Sequence, residues 1–236
     1  MYSEVLTLII KKSNYWIIPK TSNTVYWGEE SSPDWTSINS FMSHPTAKAG
    51  VTNEPHYHDA DEVWIFDTGR GKVLLDGKMY PVTPNTLVYT PMGSIHGFQM
   101  LTEFDNVSVV TKLERQQRAK HLLESIDGPP VPTVPGFIVS GNENNGPIKN
   151  TGIRCRFTEI RHIDLETDTN FNPKKLKNNE HWLVDSGKIQ LNLDGSYIEL
   201  VQGDVAMVKT GTLRKISVTN YARVCLVQEK PGSTNI

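Results

Sequence analysis

Residues Glu54–Gly69 read EPHYHDADEVWIFDTG. Two imidazoles, His56 and His58, stand one residue apart, the carboxylate of Glu62 follows four residues on, and an apolar run closes at Gly69. Side chains alternate across an extended strand, so His56 and His58 share a face. A turn at Asp59-Ala60-Asp61 brings the chain back, and Glu62, Trp64 and Phe66 then share a face of the next strand. If that face is interior, two imidazoles and a carboxylate converge there, which is costly unless a cation compensates them. The stretch TPMGSIHGF (90–98) offers a fourth group: Pro91 and Gly93 shape a tight turn, and His96 opens the strand after it.

The stretch has a twin. Shifting the sequence by the distance from Glu62 to Glu180 lays EVWIFDTG (62–69) over EHWLVDSG (180–187). In the same register Leu75-Asp76-Gly77 meets Leu193-Asp194-Gly195, Gly93 meets Gly211, and His44 meets His162, with no insertion between. Self-similarity held over such a length indicates two copies of one fold. Both copies carry β-rich runs broken by Asp-Gly, a favoured hairpin turn (KVLLDGKMYPV, 72–82; KIQLNLDGSYIEL, 188–200). Short strands with closely spaced turns predict an all-β barrel or sandwich.

Between the copies, TKLERQQRAKHLLES (111–125) has Leu113, Leu122 and Leu123 positioned for one face of a helix, together with Ile126, and DGPPVPTVPG (127–136) ends it. This is a surface linker. The segment EVLTLII (4–10) predicts a strand that pairs with the other copy or another subunit. WGEESSPDWTS (27–37), with Trp27 and Trp35, is a surface loop or a flap over a barrel mouth.

Bulk properties set the frame. The 236 residues carry a net charge of −2, which gives no electrostatic footprint for nucleic acid or an anionic membrane. The apolar run at 5–10 is too short to span a bilayer and lacks the flanks of a signal peptide. Cys155 and Cys225 read as buried thiols, which predicts a reducing, cytoplasmic compartment.

Gly50-x5-His56-x-His58-x3-Glu62-x6-Gly69 matches the first cupin motif at each defining position, and Pro91-x-Gly93-x2-His96 matches the core of the second. The chain therefore resembles a bicupin. Two positions depart from the second motif: Asn85 stands at its leading glycine and Met100 at its trailing asparagine. The resemblance implies two tandem cupin (double-stranded β-helix, jelly-roll) barrels joined by a short helical and Pro-rich linker. The domains would be an N-terminal metal-binding cupin over 1–112, a linker over 113–135 and a C-terminal metal-free cupin over 136–236. It also implies one divalent metal ion held by His56, His58, Glu62 and His96. Three neutral imidazoles and a carboxylate leave about two positions open on a six-coordinate ion. Fe(II) and Mn(II) lead; Ni, Cu and Zn are chemically possible. Cupins associate through sheet edges, so a homodimer is expected.

In the second copy His56 maps to Lys174, His58 to Leu176 and His96 to Arg214, while Glu180 survives. That barrel should hold no metal. Lys174 and Arg214 are expected to face Glu180, as an ion pair or as a pocket for an anion. Trp64, Phe66, Phe98 and Gln99 are candidate pocket residues, with ordinary core filling as the rival for Trp64 because Trp182 recurs in the metal-free copy. Asp59 and Asp61 are solvated turn residues or partners of a ligand imidazole.

The expected function is a metal-dependent enzyme acting on a small oxygen-rich molecule, as a dioxygenase with a mononuclear centre of three histidines and one glutamate. The alternatives are a lyase, isomerase or hydrolase using the ion as a Lewis acid, or a non-catalytic cupin holding a sugar or carboxylate. The lean toward dioxygen rests on the lack of an unmistakable acid or base beside the ligands.

Overall fold

The computed structural model describes residues 10–11, 15–18, 40–43, 46–58, 61–111, 122–123, 136–139, 157–167 and 169–229. The chain divides into two compact units, and each is described by itself.

The leading unit contains β3 (Ser40–Ser43), β4 (Thr46–Ala47), β5 (Asp61–Thr68), β6 (Gly71–Leu75) and β7 (Lys78–Val82). It continues with β8 (Leu87–Thr90), β9 (His96–Met100), β10 (Phe104–Thr111) and β11 (Phe137–Val139). One sheet runs β11-β8-β5-β10-β3, with β4 also on β10, and a smaller one runs β7-β6-β9. Alternation along β5 aims Glu62, Trp64 and Phe66 at the smaller sheet. There Trp64 and Phe66 meet Val73 and Leu75 of β6, Val82 of β7 and Met100 of β9 in one buried cluster. This is the two-layer solution open to sheets that each have an apolar face.

The trailing unit contains β12 (Phe157–Leu165), β13 (Asn170–Lys175), β14 (Asn179–Ser186) and β15 (Lys188–Leu193). After these come β16 (Ser196–Val201), β17 (Val205–Val208), β18 (Leu213–Ser217) and β19 (Ala222–Glu229). Two strands from the amino end join it, β1 (Ile10–Lys11) and β2 (Tyr15–Ile18). Its sheets run β1-β2-β17-β14-β19-β12 and β13-β18-β15-β16.

The repeat holds at the level of individual backbone pairs. Glu62 lies opposite Thr90 and Glu180 opposite Val208, positions that correspond under the same shift. Both Asp-Gly pairs adopt positive φ (Asp76 48°, Gly77 78°; Asp194 49°, Gly195 89°), the geometry of the primed turns that suit twisted hairpins. The departure at Asn85 is explained by the backbone. Asn85 has φ 65° where Gly203 has φ 90°, and asparagine is among the few residues that tolerate this left-handed region. Gly69 is held to glycine by space as well: a Cβ there would lie 2.5 Å from the Glu103 carbonyl oxygen.

The leading strands are exchanged. β2 pairs with β17 of the trailing unit, and β11, which follows the linker, pairs with β8 of the leading unit. β2 thus pairs with the other copy, while of the expected strand at 4–10 only Ile10 lies among the described residues, opposite Ile17 of β2, and the compact units are not contiguous in sequence. The expected linker helix finds no support where it can be checked. Tyr57 and Leu122 form an antiparallel bridge with reciprocal N–H···O bonds of 3.0 and 2.9 Å, so the chain is extended at Leu122. Thr111 ends β10, while residues 112–121 and 124–126, the 27–37 loop, Asp59, His44 and Cys155 lie outside the described residues; Cys225 is a buried thiol, as expected. No helix among the described residues is long and apolar enough to cross a membrane.

Candidate metal centre

His56, His58 and His96 come together from separate stretches of chain. An antiparallel bridge sets His56 opposite His96, with reciprocal backbone bonds of 3.0 and 2.9 Å. His58 is fixed through its own carbonyl, which accepts from Gly93 N–H at 2.9 Å. Glu62 enters from β5, and its Oε2 lies 3.3 Å from His58 Nε2 and 3.1 Å from His96 Nε2. All four residues are buried, none more than 3% exposed. The three imidazoles offer nitrogens within 4.8 Å of one another. Donors around one ion at about 2.1 Å stand about 3 Å apart when adjacent and about 4.2 Å apart when opposite, so the cluster has the right scale.

Protonation strengthens the fit. His56 Nδ1 lies 2.7 Å from the Glu54 carbonyl oxygen, and His96 Nδ1 lies 2.8 Å from that of Ser94. A carbonyl can only accept, so both imidazoles carry their proton on Nδ1 and, when neutral, turn the Nε2 lone pair inward. At His96 that lone pair faces a carboxylate oxygen at 3.1 Å. Two acceptors at that range repel; a cation between them converts the repulsion into coordination. Burial alone would push the Glu62 carboxyl up; positive charge at the His58 and His96 positions holds it well below the usual carboxylate range, and beside neutral imidazoles a divalent cation would supply that charge. The residues present fit a divalent cation.

A loop clamp positions His96. Asp61 Oδ1 accepts from Met92 N–H at 3.0 Å, and Ser94 donates its hydroxyl to Asp76 at 2.7 Å. Burial raises the Asp61 carboxyl, against the lowering effect of its bonds from Met92 and Tyr89. Asp61 is therefore a buried clamp rather than a solvated turn residue. The repeat could have shown this: Asn179 stands at the same place, and its Oδ1 accepts from Thr210 N–H at 2.9 Å. An amide does the same work there, which marks the bond as architectural.

The pocket candidates separate. Trp64 stacks edge-on to His96 with ring centroids 5.2 Å apart, and Phe98 lies 5.9 Å from Trp64. Phe66 belongs to the core beneath, against Phe104. Gln99 is exposed on the other face of β9, opposite Thr52 and Lys72, because alternate strand residues point apart.

The corresponding place in the trailing unit is occupied by protein. Arg214 Nε and Nη2 donate to Glu180 Oε2 and Oε1 at 3.2 and 3.4 Å. Trp182 Nε1 donates to Oε2 at 2.9 Å and Gln228 to Oε1 at 3.1 Å. The guanidinium also lies 5.1 Å from the Trp182 ring centroid, a cation–π arrangement. The ion pair is therefore formed, with Trp182 and Gln228 as partners the sequence did not reveal. Lys174 is not part of it. Although β13 sets Lys174 opposite Arg214, its side chain is exposed, since a lysine stem lets the ammonium reach water. Leu176 is buried.

Residues 46–111 match the family model described as the cupin domain. Solved structures align over almost the whole chain. Lactobacillus farciminis oxalate decarboxylase, in a formate complex, gives a TM-score of 0.65 at 12% identity, covering 95% of this chain and 84% of its own. A variant of the Bacillus subtilis oxalate decarboxylase gives 0.65 at 15% identity, covering 98% and 77%. The fold is all-β and cupin-type, consistent with tandem cupin domains. AerE from Microcystis aeruginosa aligns with a TM-score of 0.57 at 11% identity over 94% of this chain and 96% of its own. In sequence, the uncharacterized protein y4oW of Sinorhizobium fredii (strain NBRC 101917 / NGR234) is 31% identical over 77 residues, 32% of this chain and 36% of that protein. The match thus spans about a third of that relative's length. These likenesses overturn the dioxygenase expectation, since the bicupin fold aligns over nearly its full length with decarboxylases. The lack of an evident acid or base in the sequence was no pointer to dioxygen, because a Lewis-acid centre works without a second unmistakable titrating group.

Proposed function

We propose that the chain is a metal-dependent lyase acting on a small oxygen-rich acid, with His56, His58, Glu62 and His96 as the ligands of one Mn(II)- or Fe(II)-type ion. The observation that carries this reading is the buried convergence of the His58 and His96 Nε2 atoms on the Glu62 carboxylate, with His56 clustered beside them. Decarboxylation is the favoured subclass, by likeness to the oxalate decarboxylases that share the fold.

Such an ion, when bound, supplies Lewis acidity that polarises a carbonyl and stabilises charge developing on oxygen. The chain's own residues do the rest. The Glu54 and Ser94 carbonyls fix the imidazole tautomers of His56 and His96. Glu62 stays ionised and offsets part of the ion's charge. Asp61 and Asp76 hold the 91–95 turn, and with it His96, in place. Trp64 and Phe98 exclude water from one side and give a substrate an apolar wall.

The test is elemental analysis of protein purified without added metal, followed by a screen of oxo and hydroxy acids for carbon dioxide release. The expected result is about one equivalent of Mn or Fe per chain, as one complete ligand set requires, and product formation without oxygen uptake. Zero metal, or metal bound equally well by His96→Ala, would refute the assignment. The expected homodimer is a separate proposal, tested by sedimentation equilibrium.

A further inference from the structure

Two corresponding hairpins end in edge strands of different character. Among the described residues β7 pairs only with β6 and β16 only with β15, so each closes one side of its smaller sheet. In β16 the Asp194-Gly195 turn makes Leu193 and Ser196 a hydrogen-bonded pair. Alternation then turns the N–H and C=O groups of Tyr197, Glu199 and Val201 away from β15. Val201 N–H agrees with this phase: Asp204 Oδ2 accepts it at 2.9 Å, as Thr86 Oγ1 accepts Thr83 N–H at 3.1 Å in the leading copy.

What each edge leaves open differs. The outward positions of β7 are Met79 and Pro81, and proline has no N–H to offer, which guards an edge strand. The same positions in β16 are Tyr197 and Glu199, which keep both donor and acceptor. Tyr197 is 79% exposed and Val201 47%. The charge of Glu199 is answered by Lys188 Nζ at 3.2 Å, which blunts its repulsion of another strand. A β-rich strand with an apolar outer row and an intact backbone edge is a template for pairing.

We infer that β16 is a self-association edge, to which β16 of a second copy adds antiparallel about a two-fold axis at Ile198. The occupant is a second copy because the strand complements itself in this register. With Ile198 opposite its own equivalent, Tyr197 and Glu199 of one copy exchange N–H···O bonds with Glu199 and Tyr197 of the other. Centring the pair on Glu199 instead would set two carboxylates against each other and call on the Val201 N–H that Asp204 already holds. The pairing consumes the edge, so it closes at two copies. An edge of 6 residues is short. Association is therefore weak, with Kd between about 1 μM and 1 mM. This inference rests on the homodimer proposed above, gives it an interface, and is independent of the metal centre.

Sedimentation equilibrium of the full chain over that concentration range is expected to show monomer and dimer in exchange. Glu199→Pro copies Pro81 at a position where no bond to β15 is lost. It should weaken dimerisation at least about tenfold and leave the thermal melt of the dilute protein unchanged. Glu199→Ala keeps the N–H and should still dimerise. A cross-link reads the register without relying on the proline variant. Ile198→Cys would stand about 4.5 Å from its equivalent, Cα to Cα, within disulfide reach. Under mild oxidation it should form an intermolecular disulfide faster than Tyr197→Cys, although position 197 is the more exposed. A monomer throughout the range overturns both the interface and the homodimer. A dimer that Glu199→Pro does not weaken, or faster cross-linking at 197, overturns the interface and leaves the homodimer standing.

Discussion

Both halves of the chain bury a glutamate at the same place in the same fold, and they answer it differently. Glu62 faces two of three imidazoles that converge from separate strands and loops, an arrangement that suits an external cation. Glu180 faces Arg214, Trp182 and Gln228, which together fill both carboxylate oxygens with donors. The difference teaches that the fold demands a counter-charge rather than a metal. On the proposed reading one half imports it, and the other encodes it.

Four experiments would break or sharpen that contrast. The largest effect belongs to the imported charge. His96→Ala or Glu62→Ala should lower metal content at least about tenfold, as ligand loss outweighs the roughly 10–100-fold cost of losing a ligand's supporting partner. Arg214→Ala should leave metal content unchanged. Next is the encoded charge. Arg214→Met strands a buried carboxylate and should destabilise by about 3–5 kcal/mol in chemical denaturation. Adding Glu180→Gln should recover much of that loss; no recovery would mean that Arg214 matters for packing alone.

The clamp is third. Asp61→Ala removes the acceptor for Met92 N–H and should cost about 1–3 kcal/mol. Asp61→Asn, which copies Asn179, should be close to neutral and keep the metal. A severe loss in the asparagine variant would give Asp61 a role its twin lacks.

The smallest effect is a surface one confined to the trailing unit. Asp164 accepts from Arg223 and from Tyr221, and these bonds hold its carboxyl below the usual range. Its folded-state value is depressed, so its contribution is present above the ordinary aspartate pKa and is lost as pH falls through the folded value. The leading unit pairs Thr46 with Asp105 at the same register, which cannot form that bridge. Arg223→Gln should therefore lower stability slightly at neutral pH and flatten its decline in acid, as followed by thermal melts across pH.

Much of this was legible in the sequence because its signals are local or repeated. The spacing of His56, His58 and Glu62 placed three groups on facing strands, and the shift from Glu62 to Glu180 transferred the fold to the second copy. Arg214 opposite Lys174 follows from the same register that sets His96 opposite His56. What the sequence concealed was side-chain reach and long-range partnership. Lys174 has a stem long enough to leave the interior, so register could not tell where its charge ends. Gln228 has Val110 as its counterpart, so the repeat gave no hint that it bonds Glu180. Gln99 follows His96 directly, yet the alternation of a strand sends it to the opposite face. Reaction type was concealed for another reason: one ligand set supports several chemistries, and the turn carboxylate that looked solvated proved to be a buried clamp.

The crossed pairing of β2 with β17 and of β11 with β8 bears on why both copies persist. Severing the polypeptide between the copies would yield two fragments, each bearing an edge that its counterpart needs. Neither would be complete alone, and mixing the two should restore both by complementation. Loss of the trailing copy would thus strip a border strand from the leading one, which gives its retention an architectural reason.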